Sequence, residues 1–224
     1  GSDITIVSST GLLEFASAPD YETQTSYSAT VTVSDGTNSV TQDITVNVTN
    51  VNDVAPEFTS DATFSAAENQ TAIGTVTATD AEGDTVTFTI SGTDLEITSA
   101  GVLTFATAPD YETDTSFTAT VTASDGTNST TQDITVNVTN VNDNSPQFTS
   151  GANFSAEENQ TAIGTVTATD DDGDTVTFSV SGSELQITSA GVLSFVSAPD
   201  YESKDTYTAT VTASDGTNTT TQDI

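Results

Sequence analysis

The sequence repeats itself with a period of 90 residues, and this periodicity constrains the fold more than any other feature. Residues 61–90 and 151–180 share 23 identities in 30 positions. The period exceeds the roughly 20–50 residues of solenoid repeats and matches a β-sandwich domain of about 100 residues. We therefore expect tandem domains. Two motifs mark the period: Ala-Pro-Asp-Tyr-Glu at 18–22, 108–112 and 198–202, and Asp-Gly-Thr-Asn at 35–38, 125–128 and 215–218.

Within a repeat, apolar residues alternate with polar ones, which is the pattern of half-buried β-strands. Ile134, Val136 and Val138 alternate with polar neighbours, and glycine-containing turns separate the segments. Helical periodicity is absent. The sequence thus predicts an all-β fold of tandem seven-stranded Greek-key β-sandwiches. In the second repeat the expected strands are 58–64, 73–79, 86–90, 95–98, 102–106, 117–123 and 134–138.

Two short polar linkers, 50–56 and 140–146, end in proline and join the repeats. They predict three domains: 1–53 is the C-terminal half of a domain, 54–143 is complete, and 144–224 lacks most of its last strand. Both ends fall inside a domain, so we expect a section of a longer repeat array.

The charge of the chain excludes several functional classes. It has 33 acidic residues, one basic residue (Lys204) and a net charge of −32, and it has no His or Cys. One lysine cannot neutralise phosphates, which argues against nucleic acid and anionic membrane partners. Without His or Cys, the chain has no residues for a serine or cysteine protease triad or for an ordinary zinc site. No segment resembles a membrane span or a signal peptide. The remaining metal ligands are oxygens, which suit calcium first.

The acidic residues concentrate in loops, and loops of a sandwich converge at its poles. If the chain there is extended, residues i and i+2 share one face, so Asp110 and Glu112 can reach one ion. An EF-hand at 170–174 fails because Gly173 is fourth rather than sixth and position twelve is Ser181. A solvated acidic surface explains most carboxylates, and plain turns remain an alternative for the loop aspartates.

The order of motifs resembles cadherin repeats, and among them the cadherin-like domains of large bacterial surface adhesins. In order, the motifs are the Asn140–Pro146 linker, Glu158-Asn159, Ala168-Thr169-Asp170-Asp171-Asp172, Pro199-Asp200-Tyr201-Glu202 and Ala213-Ser214-Asp215-Gly216. Each motif alone is weak, but the ordered set covers essentially the whole chain.

The resemblance implies calcium ions at the linkers, held by three sets of residues. The second junction, between 54–143 and the last domain, would use Glu68, Asp110, Glu112, Asn142, Asp143, Asn144, Asp170, Asp172 and Asp215. The first junction would use Asp20, Glu22, Asn52, Asp53, Asp80, Glu82 and Asp125. A third set, Glu158, Asp200 and Glu202, would form half of a further site.

Three departures from the cadherin pattern concern these junctions. Asn50 and Asn140 replace the first aspartate of each linker, and Val54 replaces its last asparagine. Glu82 replaces an aspartate, with a longer reach. We therefore expect the first junction to bind fewer ions or to bind them more weakly.

The function expected from these features is a calcium-stiffened stalk of an extracellular, bacterial cell-surface adhesin, whose partners are calcium and neighbouring domains. The alternative is a homophilic or carbohydrate-binding recognition module, although the chain has no Trp and only five Tyr. An enzyme is not expected, because the carboxylate pairs recur in every repeat. The incomplete last domain predicts self-association, with Ile44–Val48 of a neighbouring chain carrying the missing pattern.

Overall fold

The fold is known from a computed structural model, which describes residues 3–224. Gly1 and Ser2, with which the predicted domain 1–53 begins, lie outside the described residues. All regular structure in this range is β-strand. No helix there could cross a bilayer. The all-β prediction is confirmed.

The first repeat contains two antiparallel strand pairs. In the longer pair, Ala29 faces Ile44 and Val31 faces Gln42. Threonines line its exposed face, which suits β-branched residues on a pleated surface. The pairs are β1 (Ile4–Ile6) with β2 (Leu13–Phe15), and β3 (Ser26–Ser34) with β4 (Ser39–Asn47).

The second repeat has two main sheets and a short strand pair. One sheet has the order β10-β11-β7, the other β6-β13-β12-β9, and β5 pairs with β8. The strands are β5 (Glu57–Phe58), β6 (Thr63–Ala67), β7 (Ala72–Thr75), β8 (Ala78–Thr79), β9 (Thr87–Ile90), β10 (Leu95–Ile97), β11 (Val102–Phe105), β12 (Ser116–Ser124) and β13 (Ser129–Thr139).

The third repeat forms the sheets β15-β19-β18 and β17-β20-β21 and the pair β14-β16. Residues 153–157, which align with β6, form no strand. Its strands are β14 (Gln147–Phe148), β15 (Ala162–Thr165), β16 (Ala168–Thr169), β17 (Thr177–Val180), β18 (Leu185–Ile187), β19 (Val192–Phe195), β20 (Thr210–Ser214) and β21 (Thr219–Asp223).

Two predicted strands are each interrupted. The predicted strand 58–64 includes the end of β5 and the start of β6, with a break between them. The predicted strand 73–79 includes most of β7 and all of β8, again with a break between them. The break between β7 and β8 has a physical reason. The Val76 N–H donates to the Gly101 carbonyl oxygen, whereas the Thr77 carbonyl oxygen accepts from the Thr59 N–H, so the chain changes its partner segment there. The predictions of continuous strands were wrong there, whereas β12 and β13 extend the predicted ones.

Alternation places one face of each strand in an apolar core. In the second repeat, Leu103, Val121, Ile134 and Val136 have 1% exposure or less. Burying each stabilises the fold by about 1.5–3 kcal/mol. In the third repeat, Phe195 and Tyr207 meet edge to face at 5.0 Å. The third core contains Val166, Leu185, Leu193, Phe195 and Val211.

The turn before β11 requires glycine. Gly101 has φ +88°, and a Cβ there would lie 2.2 Å from the Val76 carbonyl oxygen. Since Gly191 has the same φ and the same clearance from Val166, this constraint recurs in the third repeat. At these two positions the glycine-containing turns expected from the sequence therefore have a steric reason.

The described chain divides into two compact units. The first consists of residues 3–64, 72–107 and 117–136, and the second of residues 65–71, 108–116 and 137–224. The residues expected at the first junction all lie in the first unit. Those of the second junction and of the third set all lie in the second unit, so each predicted set belongs to a single unit. The domain limits expected from the sequence stay a prediction.

Candidate metal centre

Four carboxylates meet at the second junction. Glu68, Glu112, Asp143 and Asp172 each offer an oxygen atom within 4.8 Å of the others. Two charges at that distance repel by about 1 kcal/mol in water and by about 3–4 kcal/mol at an effective dielectric of 20. Lys204, the single basic residue, bonds to Glu184 at 2.7 Å instead. The cluster therefore favours a proton or an added cation.

Glu68 ties a loop of the second repeat to the linker. It is the one charged side chain that is buried among the described residues, with 3% exposure. Its Oε2 accepts a hydrogen bond from the Tyr111 N–H, and its Oε1 accepts one from the Val141 N–H, each at 2.8 Å. Both bonds involve a charged acceptor, so each is stronger than a bond between neutral groups.

Asp172 performs the corresponding task from the third repeat. Its Oδ2 accepts hydrogen bonds from the backbone N–H groups of Asp143 at 3.0 Å and Asn144 at 2.8 Å. Loss of surrounding water opposes ionisation, but these N–H donors outweigh it and lower the pKa of Asp172. Asp172 is therefore ionised and holds the linker backbone.

Glu112 is a carboxyl of the cluster whose pKa is raised. Loss of surrounding water raises the pKa of Glu112 to about 7, and the neighbouring Asp110, Glu68 and Asp172 carboxylates add to this rise. Asn144 Nδ2 donates to Glu112 Oε2 at 3.2 Å. Without metal, a proton on Glu112 relieves the repulsion.

Metal-free protein is expected to lose stability as the pH rises from about 4.5 to about 7. In this window the folded Glu112, with its pKa of about 7, holds a proton that the unfolded chain, with a pKa of 4.5, has released. Asp172 has a lowered pKa and is ionised in both states there, so it does not contribute.

Urea midpoints in excess EDTA across this window measure the effect. Glu112→Gln should flatten the slope, leaving the smaller contribution of Glu22, whose pKa is also raised, first by loss of water and then by Glu82. Glu57→Gln, in β5, is the control. A slope that Glu112→Gln leaves unchanged would contradict the assignment.

Asp110 is positioned differently from the expectation. Residues 111–113 form a turn, so Asp110 and Glu112 do not project from one face of an extended segment. Asp110 instead caps the turn, accepting from the Glu112 N–H at 3.1 Å and the Thr113 hydroxyl at 3.0 Å. The extended conformation expected for the pair is therefore absent, but the Asp110 carboxylate still lies near Glu112, whose pKa it helps to raise. Its role as a ligand stays a prediction.

Buried oxygens without partners support a cation at both junctions. Among the described residues, six buried side-chain oxygens accept no hydrogen bond, and four belong to predicted ligands. Buried polar atoms normally have partners, and calcium takes six to eight oxygen ligands. The donor set therefore fits calcium. The four atoms are Asp80 Oδ2, Glu82 Oε2, Asp170 Oδ2 and Asp215 Oδ2.

Asn140 replaces a carboxylate ligand by a hydrogen-bond donor. Its Nδ2 donates to the Asp172 carbonyl oxygen at 2.8 Å, a bond that an aspartate cannot make. The amide therefore joins the linker to the third repeat without metal. Among the described residues, Asn50 makes no equivalent bond in the first linker.

Asn140→Asp is expected to make the second junction more dependent on calcium. In EDTA it should cost about 1–3 kcal/mol, because a carboxylate oxygen would face the Asp172 carbonyl. In calcium the extra charge should tighten binding, since affinity follows ligand charge. Urea unfolding and calorimetric titration measure the two effects, and Asn50→Asp is the matched control. An equal loss of stability with Asn50→Asp in EDTA would contradict the role of Asn140.

The first junction has a smaller cluster. Glu22, Asp53 and Glu82 offer oxygens within 4.8 Å of one another. Glu82 Oε1 accepts from the N–H groups of Asp53 at 3.3 Å and Val54 at 3.0 Å, the same contacts that Asp172 makes. The longer Glu82 thus replaces the aspartate. With three carboxylates rather than four, weaker binding at this junction stays our prediction.

The remaining predicted residues occupy the adjoining loops. Asp20 caps its own turn like Asp110, and Asp125 and Asp215 each accept two backbone N–H bonds in their Asp-Gly-Thr-Asn turns. The third set, Glu158, Asp200 and Glu202, also offers oxygens within 4.8 Å of one another, all on exposed side chains. The structure thus brings together carboxylates from each predicted set. Asn128 and Asn218 were not among the predicted site residues, but their side-chain amides contact the two linkers.

Comparison with curated proteins finds cadherin relatives, while no family model matches. The chain is 31% identical over 179 residues to the mouse cadherin EGF LAG seven-pass G-type receptor 1 (Mus musculus). The match covers 72% of this chain, and the chain spans 6% of the length of that receptor.

Solved cadherin structures share the fold. A protocadherin gammaB7 cis-dimer structure has a TM-score of 0.79 and 23% identity, with 99% of this chain and 65% of that chain covered. The extracellular cadherin domains 3–6 of protocadherin gamma B2 have a TM-score of 0.77 and 20% identity, with 100% and 64% covered. At these identities the likeness concerns the β-sandwich fold alone.

Proposed function

Because this chain is built from cadherin-like repeats, we propose that it is a calcium-stiffened stalk segment of a longer extracellular adhesion protein. The chain corresponds to a small part of its curated relative, as expected of a repeat within an array. The proposed role is mechanical and non-enzymatic. A bacterial surface adhesin as the parent protein is supported by the motif order in the sequence.

The observation that carries the proposal is the cluster of Glu68, Glu112, Asp143 and Asp172 at a linker, with no lysine or arginine beside it. A structural role alone does not require four carboxylates to converge where like charges repel. A divalent cation converts that repulsion into attraction. Oxygen-only ligands favour calcium among the common cations.

Stiffening follows from where the ligands are attached. Glu68 and Glu112 belong to the second repeat, Asp143 to the linker, and Asp172 to the third repeat. Calcium bound by all four would connect both repeats to the linker and offset much of the negative charge there. Glu68 and Asp172 already hold the linker N–H groups, so they orient the linker before an ion arrives.

An extracellular location follows from the expected affinity. Extracellular modules bind calcium with dissociation constants of about 0.1–1 mM, so such sites fill where calcium is abundant. The net charge of −32 adds solubility and disfavours close packing with acidic surfaces.

Small-angle scattering during a calcium titration tests the proposal. We expect a longer maximum dimension and a narrower distribution of shapes with calcium than with EDTA. Asp143→Asn with Asp172→Asn should reduce the change to the part that the first junction contributes, whereas Asp43→Asn, on strand β4, should leave it unaltered. A length that is independent of calcium, together with an unchanged melting temperature, would refute the stalk proposal.

We also propose self-association through the third repeat, where a cavity of about 390 Å³ is lined by the segment around Phe154 and by residues 204–208, which precede β20. Phe195 and Ile224 complete its apolar lining. In the second repeat, β6 and β12 flank β13, whose Ile134 and Val136 are buried. Residues Ile44–Val48 of another copy carry the same alternation. A peptide with the sequence of residues 41–50 should bind this cavity and shift Phe154 resonances. A chain that stays monomeric at high concentration and does not bind the peptide would contradict the proposed self-association.

A further inference from the structure

The side-chain amides of Asn128 and Asn218 contact the two linkers in the same way. Asn128 Nδ2 donates to Asn52 Oδ1 at 2.7 Å, and Asn218 Nδ2 donates to Asn142 Oδ1 at 2.8 Å. Each pair is 76 residues apart in the chain. We propose that Asn128 and Asn218 are positioning residues that hold the linkers in a metal-ready conformation without any bound ion.

The turn that carries each asparagine fixes the direction of its amide. In the third repeat, Asp215 Oδ1 accepts from the N–H groups of Thr217 and Asn218, each at 2.6 Å. The Ser214 hydroxyl donates to the Asn218 carbonyl oxygen at 3.3 Å. These bonds use the backbone of Asn218 and leave its side-chain amide free to reach the linker.

Each amide also reaches the linker backbone two residues further on. Asn218 Nδ2 donates to the Asn144 carbonyl oxygen at 3.1 Å, and Asn128 Nδ2 to the Val54 carbonyl oxygen at 3.4 Å. Because the acceptor is a carbonyl group, the contact persists although residue 54 is valine and residue 144 is asparagine. The same arrangement thus occurs at both linkers despite their different sequences.

An uncharged donor suits this environment. Lys204 is bonded to Glu184, so the side-chain donors around these carboxylates are uncharged amide and hydroxyl groups. The bond fixes the orientation of the Asn142 oxygen, which the cadherin resemblance makes a ligand. Partners that orient a metal ligand typically change affinity when they are removed. This part rests on the proposed calcium function, whereas holding the linker does not.

The first repeat provides a matched control. Asn38 occupies the same place in the same Asp-Gly-Thr-Asn motif, and its Nδ2 contacts only Asp35, at 3.5 Å, among the described residues. Asn38→Ala removes the same amide from the same turn without touching a linker.

Hydrogen exchange of the 224-residue chain in excess EDTA tests the proposal. The reporters are the N–H groups of Val141, Asp143 and Asn144, which bond to Glu68 and Asp172. Asn218→Ala should speed their exchange about two- to tenfold, as expected for the loss of one hydrogen bond. Asn128→Ala should do the same for Asp53 and Val54, and Asn38→Ala should change neither linker.

Asn142→Ala removes the acceptor and keeps the experiment informative if Asn218→Ala disturbs its turn. The double variant should exchange no faster than the faster single variant, because both substitutions remove the same contact between Asn218 and Asn142. Additive effects, or unchanged linker exchange in Asn218→Ala, would overturn the proposal.

Calcium titration separates this inference from the proposed function. Asn218→Ala should raise the calcium concentration at half-saturation several-fold without altering the saturated state, because the linker must be ordered on binding. If the unaltered chain binds no calcium, the stalk proposal fails while the exchange result still decides the positioning role. Unchanged calcium affinity together with unchanged exchange would refute the positioning role alone.

Discussion

Removing calcium with EDTA is expected to lower the melting temperature of this chain by about 6–20 °C from its value in about 10 mM calcium. At a dissociation constant of about 0.1–1 mM, one site contributes about 1.4–2.7 kcal/mol at that concentration. Each kcal/mol moves the midpoint of a domain of 60–100 residues by about 4–8 °C. Further ions at a junction would enlarge the shift.

Differential scanning calorimetry at several calcium concentrations measures this effect, because stabilisation by a ligand grows with the logarithm of its free concentration. Magnesium at the same concentration is the control, since it requires a smaller, octahedral set of ligands. Glu112→Gln should reduce the shift by weakening the second junction. A midpoint that does not depend on calcium would exclude metal from both junctions.

Much of the fold follows from the sequence because the two-residue alternation within each strand is a local signal. The two-residue alternation over 117–123 and 134–138 reports burial on one strand face, and β12 and β13 form there. The breaks at Ser60 and Thr77 have no such signal. They depend on hydrogen bonds between segments 17 or 18 residues apart, namely Thr59 with Thr77 and Ser60 with Thr77.

The candidate site was predictable in its residue types but not in its contacts. Carboxylates in ordered motifs point to a cation, and some carboxylates of each predicted set lie within 4.8 Å of one another. The amide donors Asn128 and Asn218 escaped notice because asparagine is common in turns, and its partner lies 76 residues away. Asn140 likewise looked like the loss of a ligand until its bond to Asp172 gave it a donor's role.

Glu68 and Glu158 show that identical local sequence does not fix the burial of a side chain. Residues 68–80 and 158–170 are identical, yet Glu68 is buried and Glu158 is exposed. Both accept a hydrogen bond from a tyrosine N–H, at 2.8 Å from Tyr111 and at 3.0 Å from Tyr201. Only Glu68 also accepts one from a linker residue, Val141. Burial here is therefore a consequence of tertiary contact with the linker.

This difference makes Glu68→Gln the most damaging conservative substitution we expect, and Glu158→Gln its matched control. A glutamine has one acceptor oxygen, so it can satisfy Tyr111 or Val141 but not both, and its NH2 group would face the other N–H. One buried donor is left without a partner and a charge-assisted bond is lost, which should cost about 2–3 kcal/mol. At Glu158 the single bond to Tyr201 can be retained, so the cost should be about 0.5 kcal/mol or less.

Hydrogen exchange of the β13 amides for Glu68→Gln and of the β20 amides for Glu158→Gln, both in EDTA, resolves the two repeats and removes any contribution from metal. With calcium present the loss at Glu68 should grow, since a neutral amide is a poorer ligand than a carboxylate. Equal effects of the two substitutions would mean that the linker contact of Glu68 contributes nothing to stability. In that case the second junction would be held by Asp172 and the asparagine amides alone, and calcium would have to be bound without the one carboxylate that is buried there.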